Sequence, residues 1–291
     1  GRRICQTMMA WAPRLDDSRL IMTAVNHPKN ATVYDDNDLI GINYQWQHYQ
    51  AVHERHPDKA IMASECCATG TTRGWYFPDC PEMGFITAYD HDSDLNFRSR
   101  EFTWKYLAEN DWIMGGYQWD AFEHRGEAKW PRLCSQSGAV DLFMQPKDAF
   151  YQNKSHFTDE PMVHLLPHWN FQGMEGEPMK VVAYTNTGDV ELFLNGKSLG
   201  RQTIERYGHG EWTVPYEQGT LEAVAYKDGK PAASAKKITS GAPYRLVLTQ
   251  DTMDVEANGE DIALITCSVV DENGNEVPDA APTVTFACGG D

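Results

Sequence analysis

No run of about eighteen apolar residues occurs in this 291-residue chain, so no segment is long enough to span a bilayer as a helix. Positive charge is scarce as well: 25 Lys and Arg stand against 42 Asp and Glu, a formal net charge of −17. A surface that binds phosphate concentrates Lys and Arg, so nucleic acid is excluded as a partner. Seven cysteines occur, at positions 5, 66, 67, 80, 134, 267 and 288, without a C-x-x-C pair. That spacing argues against a zinc site, and the odd number argues against a fully paired disulfide framework. Neither a metal nor a cofactor is expected. The opening Gly1-Arg-Arg-Ile-Cys5 has no initiator Met and no apolar stretch of a signal peptide. The chain is therefore expected to be cut from something longer, and its localisation stays unknown.

What the chain does have is ordinary globular composition, 41% hydrophobic and 23% charged, over a length sufficient for two or three domains. Nine Trp and thirteen Tyr are many for that length. Such rings build aromatic cores and domain interfaces, and they equally serve as stacking platforms in sugar-binding clefts.

The first 150 residues alternate helical and strand-like segments. A helical stretch from Ile4 to Leu15 precedes the apolar run Ile21–Val25. Then come Leu39–Tyr44, a helix from about Gln45 to His56 stopped by Pro57, and the strand Ala60–Glu65. A long loop leads to a helix near Ser99–Asn110 and the strand Ile113–Trp119. Nearly continuous apolar strands between helices indicate a parallel sheet, either doubly wound or part of a (β/α)8 barrel. Four strands are too few to close such a barrel, so half of one is the expectation.

From about Pro161 the pattern changes to short strands separated by turns. Asn195-Gly196 and Asp228-Gly229 are type I′ hairpin signals, since that turn needs positive φ at both central residues. Three domains follow: α/β over 1–158, an Ig-like β-sandwich over 161–241, and a truncated second Ig-like sandwich over 242–291.

Active residues of parallel α/β folds sit at the carboxyl ends of the strands. Three strand ends here carry chemistry: Asn43-Tyr44, Ser64-Glu65 and Trp119-Asp120. A carboxylate closing an apolar strand is costly unless it is paired or functional, which makes Glu65 a candidate nucleophile or base. The Tyr44 hydroxyl can orient it and keep it ionised, and Trp119 can floor a sugar ring. A helix-capping or salt-bridged Glu is the plain alternative.

The succession Leu39-Ile-Gly-Ile-Asn-Tyr44, Ala60-Ile-Met-Ala-Ser-Glu65 and Gly115-Gly-Tyr-Gln-Trp-Asp-Ala-Phe-Glu-His-Arg-Gly-Glu127 resembles glycoside hydrolase family 2. The stretches Ser137–Asp141, Pro146-Lys-Asp148 and Pro161–Asn170 resemble the junction of its β-galactosidase-like branch, where a barrel is followed by β-sandwiches. The resemblance implies Glu65 as nucleophile, Tyr44 as its hydrogen-bond donor and Trp119 in the sugar subsite. Asn43 and Asp120, at the strand ends, and Arg73, after the nucleophile loop, are candidate substrate contacts on their positions alone. The resemblance further implies hydrolysis of terminal β-galactosides by double displacement, with the acid/base Glu lying before this chain, so that the chain alone is inactive. Some family members place a His shortly after the nucleophile, where this chain has Cys66, Cys67 and Ala68. The partner is then an oligo- or polysaccharide β-glycoside. A homo-oligomer is left open, and export to the periplasm or cell surface is a habit of the family.

Other signals weigh less. Asp90-His-Asp-Ser-Asp94 has the alternating spacing of a calcium loop but lacks the following Gly and distal Glu. Glu123 and Glu127 suit either a sugar hydroxyl or a surface ion pair. The sequons at Asn30 and Asn153 are no more than chance supplies. Two readings stand against the galactosidase: a β-glucuronidase or other family 2 specificity, and a carbohydrate-binding or cell-surface module built on the sandwiches alone.

Overall fold

The computed structural model describes residues 1–287 and 289. Two compact units divide them: residues 1–160 with 205–208, and the rest of the described chain. Among the described residues no helix is long and apolar enough to cross a membrane.

The first unit runs α1 (Arg2–Trp11), β1 (Met22–Val25), β2 (Leu39–Asn43), α2 (Tyr49–Arg55), β3 (Ile61–Cys66), α3 (Arg100–Ala108) and β4 (Ile113–Gln118). Strands β1 to β4 form one sheet in sequence order, and every pairing is parallel. Doubly wound sheets reverse their strand order at a switch point, and this one does not. The sheet has two open edges, β1 and β4, so no closed barrel is present among the described residues. Ile40, Ile42, Ile61, Ala63 and Ile113 are buried and pack with Val52, Trp104 and Leu107 from the helices. Consecutive parallel order with right-handed crossovers brings the connecting helices onto one face, which explains this core.

The helices are shorter than the sequence suggests. The Ile4–Leu15 stretch ends as α-helix at Trp11 and continues as a 3-10 turn over Ala12–Arg14, where Pro13 removes a backbone donor. The Gln45–His56 stretch opens with a 3-10 turn, Trp46–His48, before α2 begins. After β4 come the two-residue strands β5 (His124–Arg125) and β6 (Cys134–Ser135), then α4 (Asp148–Phe157).

The second unit opens with β7 (Val163–Leu166), β8 (Pro178–Thr185), β9 (Asp189–Leu194), β10 (Lys197–Thr203), β11 (Gly210–Pro215), β12 (Thr220–Lys227) and β13 (Lys230–Ile238). These make two antiparallel sheets, β10-β9-β12-β13 and β11-β8-β7. Alternate residues of β9 and β12 are buried, the period of strands with one face on a core. The result is a β-sandwich. Asn195 and Gly196 have φ of 51° and 78°, Asp228 and Gly229 φ of 54° and 75°, as type I′ hairpins require. Two further strands, β14 (Arg245–Gln250) and β15 (Ile265–Val270), pair only with each other. Their expected continuation reaches Cys288, Gly290 and Asp291, which lie outside the described residues. Only Gly274 of the Asn273-Gly274 turn has positive φ, so this turn is not of type I′.

Candidate active site

Parallel pairing sets three side chains at one edge of the first unit's sheet. Asn43 pairs with Glu65, and Cys66 pairs with Gln118. The ladder then runs one step further, because the Tyr44 N–H donates to the Glu65 carbonyl at 2.8 Å and the Trp119 N–H to the Cys66 carbonyl at 2.7 Å. Tyr44, Glu65 and Trp119 thus end adjacent strands at one level. The Tyr44 hydroxyl donates to Glu65 Oε2 at 2.7 Å. Burial first, and the hydrogen bond to Glu65 second, raise the Tyr44 pKa far above that of a free phenol, so this hydroxyl stays a donor. Phe97 meets the Tyr44 ring edge-on at 4.8 Å and fixes its orientation.

The chain turns sharply as it leaves these strands. Tyr44, Gln45 and Cys67 have φ of 56°, 32° and 59°, a region that non-glycine residues rarely enter. Backbone of this kind concentrates at functional sites, where surrounding structure holds it in place.

Glu65, Tyr44 and Trp119 line one cavity of about 460 Å³, together with Asn26, Phe97, Glu127, Arg132 and Gln136 among others. That volume suits a small ligand. The other expected site residues lie differently. Asn43 is buried, donates to Asn26 Oδ1 at 2.8 Å and accepts from Ser64 Oγ at 2.7 Å, bracing β3 against the residue that follows β1. Asp120 accepts from Ser137 Oγ and faces His124 Nδ1 at 2.8 Å. Arg73 pairs with Asp141 at 2.7 Å. None of the three lines the cavity.

A second carboxylate does stand in the cavity. Glu127 lies 3.4 Å from His124 Nε2, whose Nδ1 meets Asp120. Burial works against a charged His124, but the bond to Asp120 and the nearby Glu127 outweigh it and raise its pKa.

The part of the cavity wall that carries Gly70, Gln136 and Ser137 is held by two buried cations. Arg100 is fully buried and donates to Thr69 Oγ1, the Thr69 carbonyl and the Ser137 carbonyl, each at 3.2 Å. Lys147 donates to the Thr71 carbonyl at 2.7 Å and to the Gln136 carbonyl and Glu123 Oε1 at 2.8 Å. Both bind the loop after β3 to the segment before α4. Gly138 lies against the Phe122–Glu123 backbone, where any Cβ would clash with the Glu123 nitrogen.

Asn26, Arg132, Gln136, Arg100 and Lys147 escape the sequence reading. Asn26 alone had a usable signal, since it follows the run Ile21–Val25 as Glu65 ends its own strand. The aspartates with calcium-like spacing serve backbone amides instead. Asp90 accepts from the N–H groups of Arg100 and Glu101 and Asp92 from that of Ser99, satisfying the start of α3, while Asp94 accepts from Asn96 and Phe97 in the preceding loop.

Residues 246–291 match the model of glycoside hydrolase family 2 C-terminal domain 5, and residues 176–233 match DUF4982, a domain of unknown function. A β-galactosidase of Bacteroides ovatus is 32% identical over 99% of this chain and 36% of its own length. The chain belongs with glycoside hydrolase family 2. A β-glucuronidase of Formosa agariphila is 28% identical to it over 81% of the chain and 25% of its own length. The crystal structure of a β-glycosidase from Bacteroides vulgatus superposes with a TM-score of 0.83 at 29% identity, over 95% of this chain and 39% of that one. This family 2 chain therefore spans between a quarter and two fifths of the length of these relatives.

Proposed function

We propose that this chain contributes the nucleophile side of a retaining β-glycosidase that removes terminal β-galactosyl residues. The observation that carries the reading is the Tyr44 hydroxyl 2.7 Å from Glu65, with Trp119 in the same cavity. A binding module has no need of a carboxylate so oriented. In the reaction Glu65 attacks the anomeric carbon as the leaving oxygen is protonated, and water then releases the sugar from the glycosyl–enzyme ester. Retaining enzymes hold their two carboxyl groups about 5–5.5 Å apart. The acid/base partner comes, in this reading, from the part of the relatives' length that lies outside this match. The same part closes the parallel sheet into a (β/α)8 barrel. The open edges β1 and β4 support this, as do Ile4, Met8 and Trp11 of α1, each more than half exposed. Domain limits at 1–158, 161–241 and 242–291 go with it, and the chain alone is inactive.

The second reading is a β-glucuronidase, favoured by Arg132. It lines the cavity, and its guanidinium has no ion pair among the described residues, which suits a uronate carboxylate. One experiment separates the readings. The chain, joined to the remaining length seen in its relatives, is incubated with the 2-deoxy-2-fluoro derivatives of a β-galactoside and of a β-glucuronide. Peptide mass mapping follows. A label on Glu65 from the galactoside supports the first reading, and one from the glucuronide alone supports the second. Activity that survives Glu65→Gln sinks both.

A further inference from the structure

A second cavity, of about 620 Å³, opens beside the first and shares Ala68, Gly70, Phe97 and Arg132 with it. The shared walls make the two cavities chambers of one cleft. Trp130 lines only the second chamber and is 84% exposed. An indole so open leaves unused the large apolar surface that a tryptophan usually buries. The acidic groups of this chamber are already engaged. Asp79 accepts the Thr87 N–H at 2.8 Å, and Asp92 accepts the Ser99 N–H at 2.7 Å while pairing with Arg98 at 2.8 Å. Lys129 and Arg132 stand on the same walls without an ion pair among the described residues. A flat apolar face bordered by polar donors matches a pyranose, which has a C–H face and a rim of hydroxyl groups.

We propose that the second chamber binds the next pyranose of a β-linked oligosaccharide, stacked on Trp130, while the terminal sugar lies by Trp119 and Glu65. This rests on the glycosidase reading above and deepens it: the substrate class is an oligosaccharide whose leaving group is itself a sugar. Arg132 lines both chambers and so stands at their junction.

The test is isothermal titration of the chain joined to the remaining length seen in its relatives, carrying Glu65→Gln so that no disaccharide is cleaved. The ligands are galactose and β-1,4-galactobiose, and glucuronic acid and a β-linked disaccharide ending in it. Saturation-transfer NMR reports which ring touches the protein. The disaccharide that matches the terminal site should bind roughly fivefold tighter than its monosaccharide. Its second ring should receive saturation. Trp130→Ala should remove that gain and leave monosaccharide affinity unchanged, while Trp130→Phe should keep most of it. Because Trp130 is exposed, neither variant opens the core, and an unchanged melting curve verifies this. Equal affinity for mono- and disaccharide overturns the proposal, as does a gain that survives Trp130→Ala, or no binding of either pair. Loss of the Glu65 label with both fluorosugars overturns the glycosidase reading instead, and leaves a Trp130-dependent gain to be read on its own.

Discussion

Lys147 and Glu123 form an ion pair of 2.8 Å in which the two side chains are only 1% and 9% exposed. Burial lowers the Lys147 pKa, and the bond to Glu123 opposes that effect without cancelling it. Removing one partner of such a pair leaves the other charged and uncompensated, at a cost of roughly 3–5 kcal/mol. Lys147→Met should therefore reduce the urea-unfolding free energy by about that amount, because the Thr71 and Gln136 carbonyls also lose their donor. Adding Glu123→Leu should recover part of the loss. A single variant that unfolds like the parent would refute the clamp.

Tyr44→Phe tests the orientation of Glu65. A hydrogen bond to a charged group contributes roughly 1.5–3 kcal/mol, equivalent to about 10- to 100-fold in rate. Labelling of Glu65 by the 2-fluoro sugar should slow by that factor, with little change in the concentration needed for half-maximal rate. Labelling at the parental rate would show that the hydroxyl does not matter to the carboxylate.

His156 supplies a pH signature. Burial pushes its pKa from 6.5 down to about 4, and its Nε2 has no hydrogen-bond partner among the described residues. The unfolded chain then binds the proton more readily than the folded one across that window. Stability is complete above pH 6.5 and declines as pH falls towards about 4, by about 3 kcal/mol in total. His156→Phe should flatten this part of a stability–pH curve. A variant that keeps the parental slope would assign it to another group.

Asp90 joins the start of α3 to α4 by accepting the Arg100 and Glu101 N–H groups and the Gln152 amide, at 2.8 to 3.0 Å. Asp90→Asn should cost roughly 1–3 kcal/mol, each kcal/mol lowering Tm by about 2–4 °C. Millimolar calcium should leave the parental Tm where it was. A calcium-dependent rise would restore the ion-binding reading of Asp90–Asp94.

Strand positions, the change of character near Pro161 and both I′ hairpins were legible because period, β-branching and Asn-Gly or Asp-Gly turns are local signals. Glu65 and Tyr44 were legible because they end apolar runs, and a parallel sheet brings such ends together. Arg132, Gln136 and Lys147 were not, since the segment from Asp120 to Lys147 has almost no regular structure to fix their direction. The partners of Arg73 and Asp120 were hidden for the same reason: Asp141 and His124 are set by loop paths that leave no period in the sequence.

The backbone ladder that extends to Tyr44 and Trp119 has a mechanical consequence. Glu65 sits between two neighbours that both hydrogen-bond its own stretch of chain, so it cannot shift without breaking a rung on each side. Its place is therefore as fixed as the sheet's centre, although it lies at the rim. Adjustment to a ligand has to come from elsewhere on the wall, where Arg132 stands on a loop. Amide hydrogens of Tyr44 and Trp119 should therefore exchange slowly, as those of the sheet's centre do. The cleft is thereby given one stationary jaw.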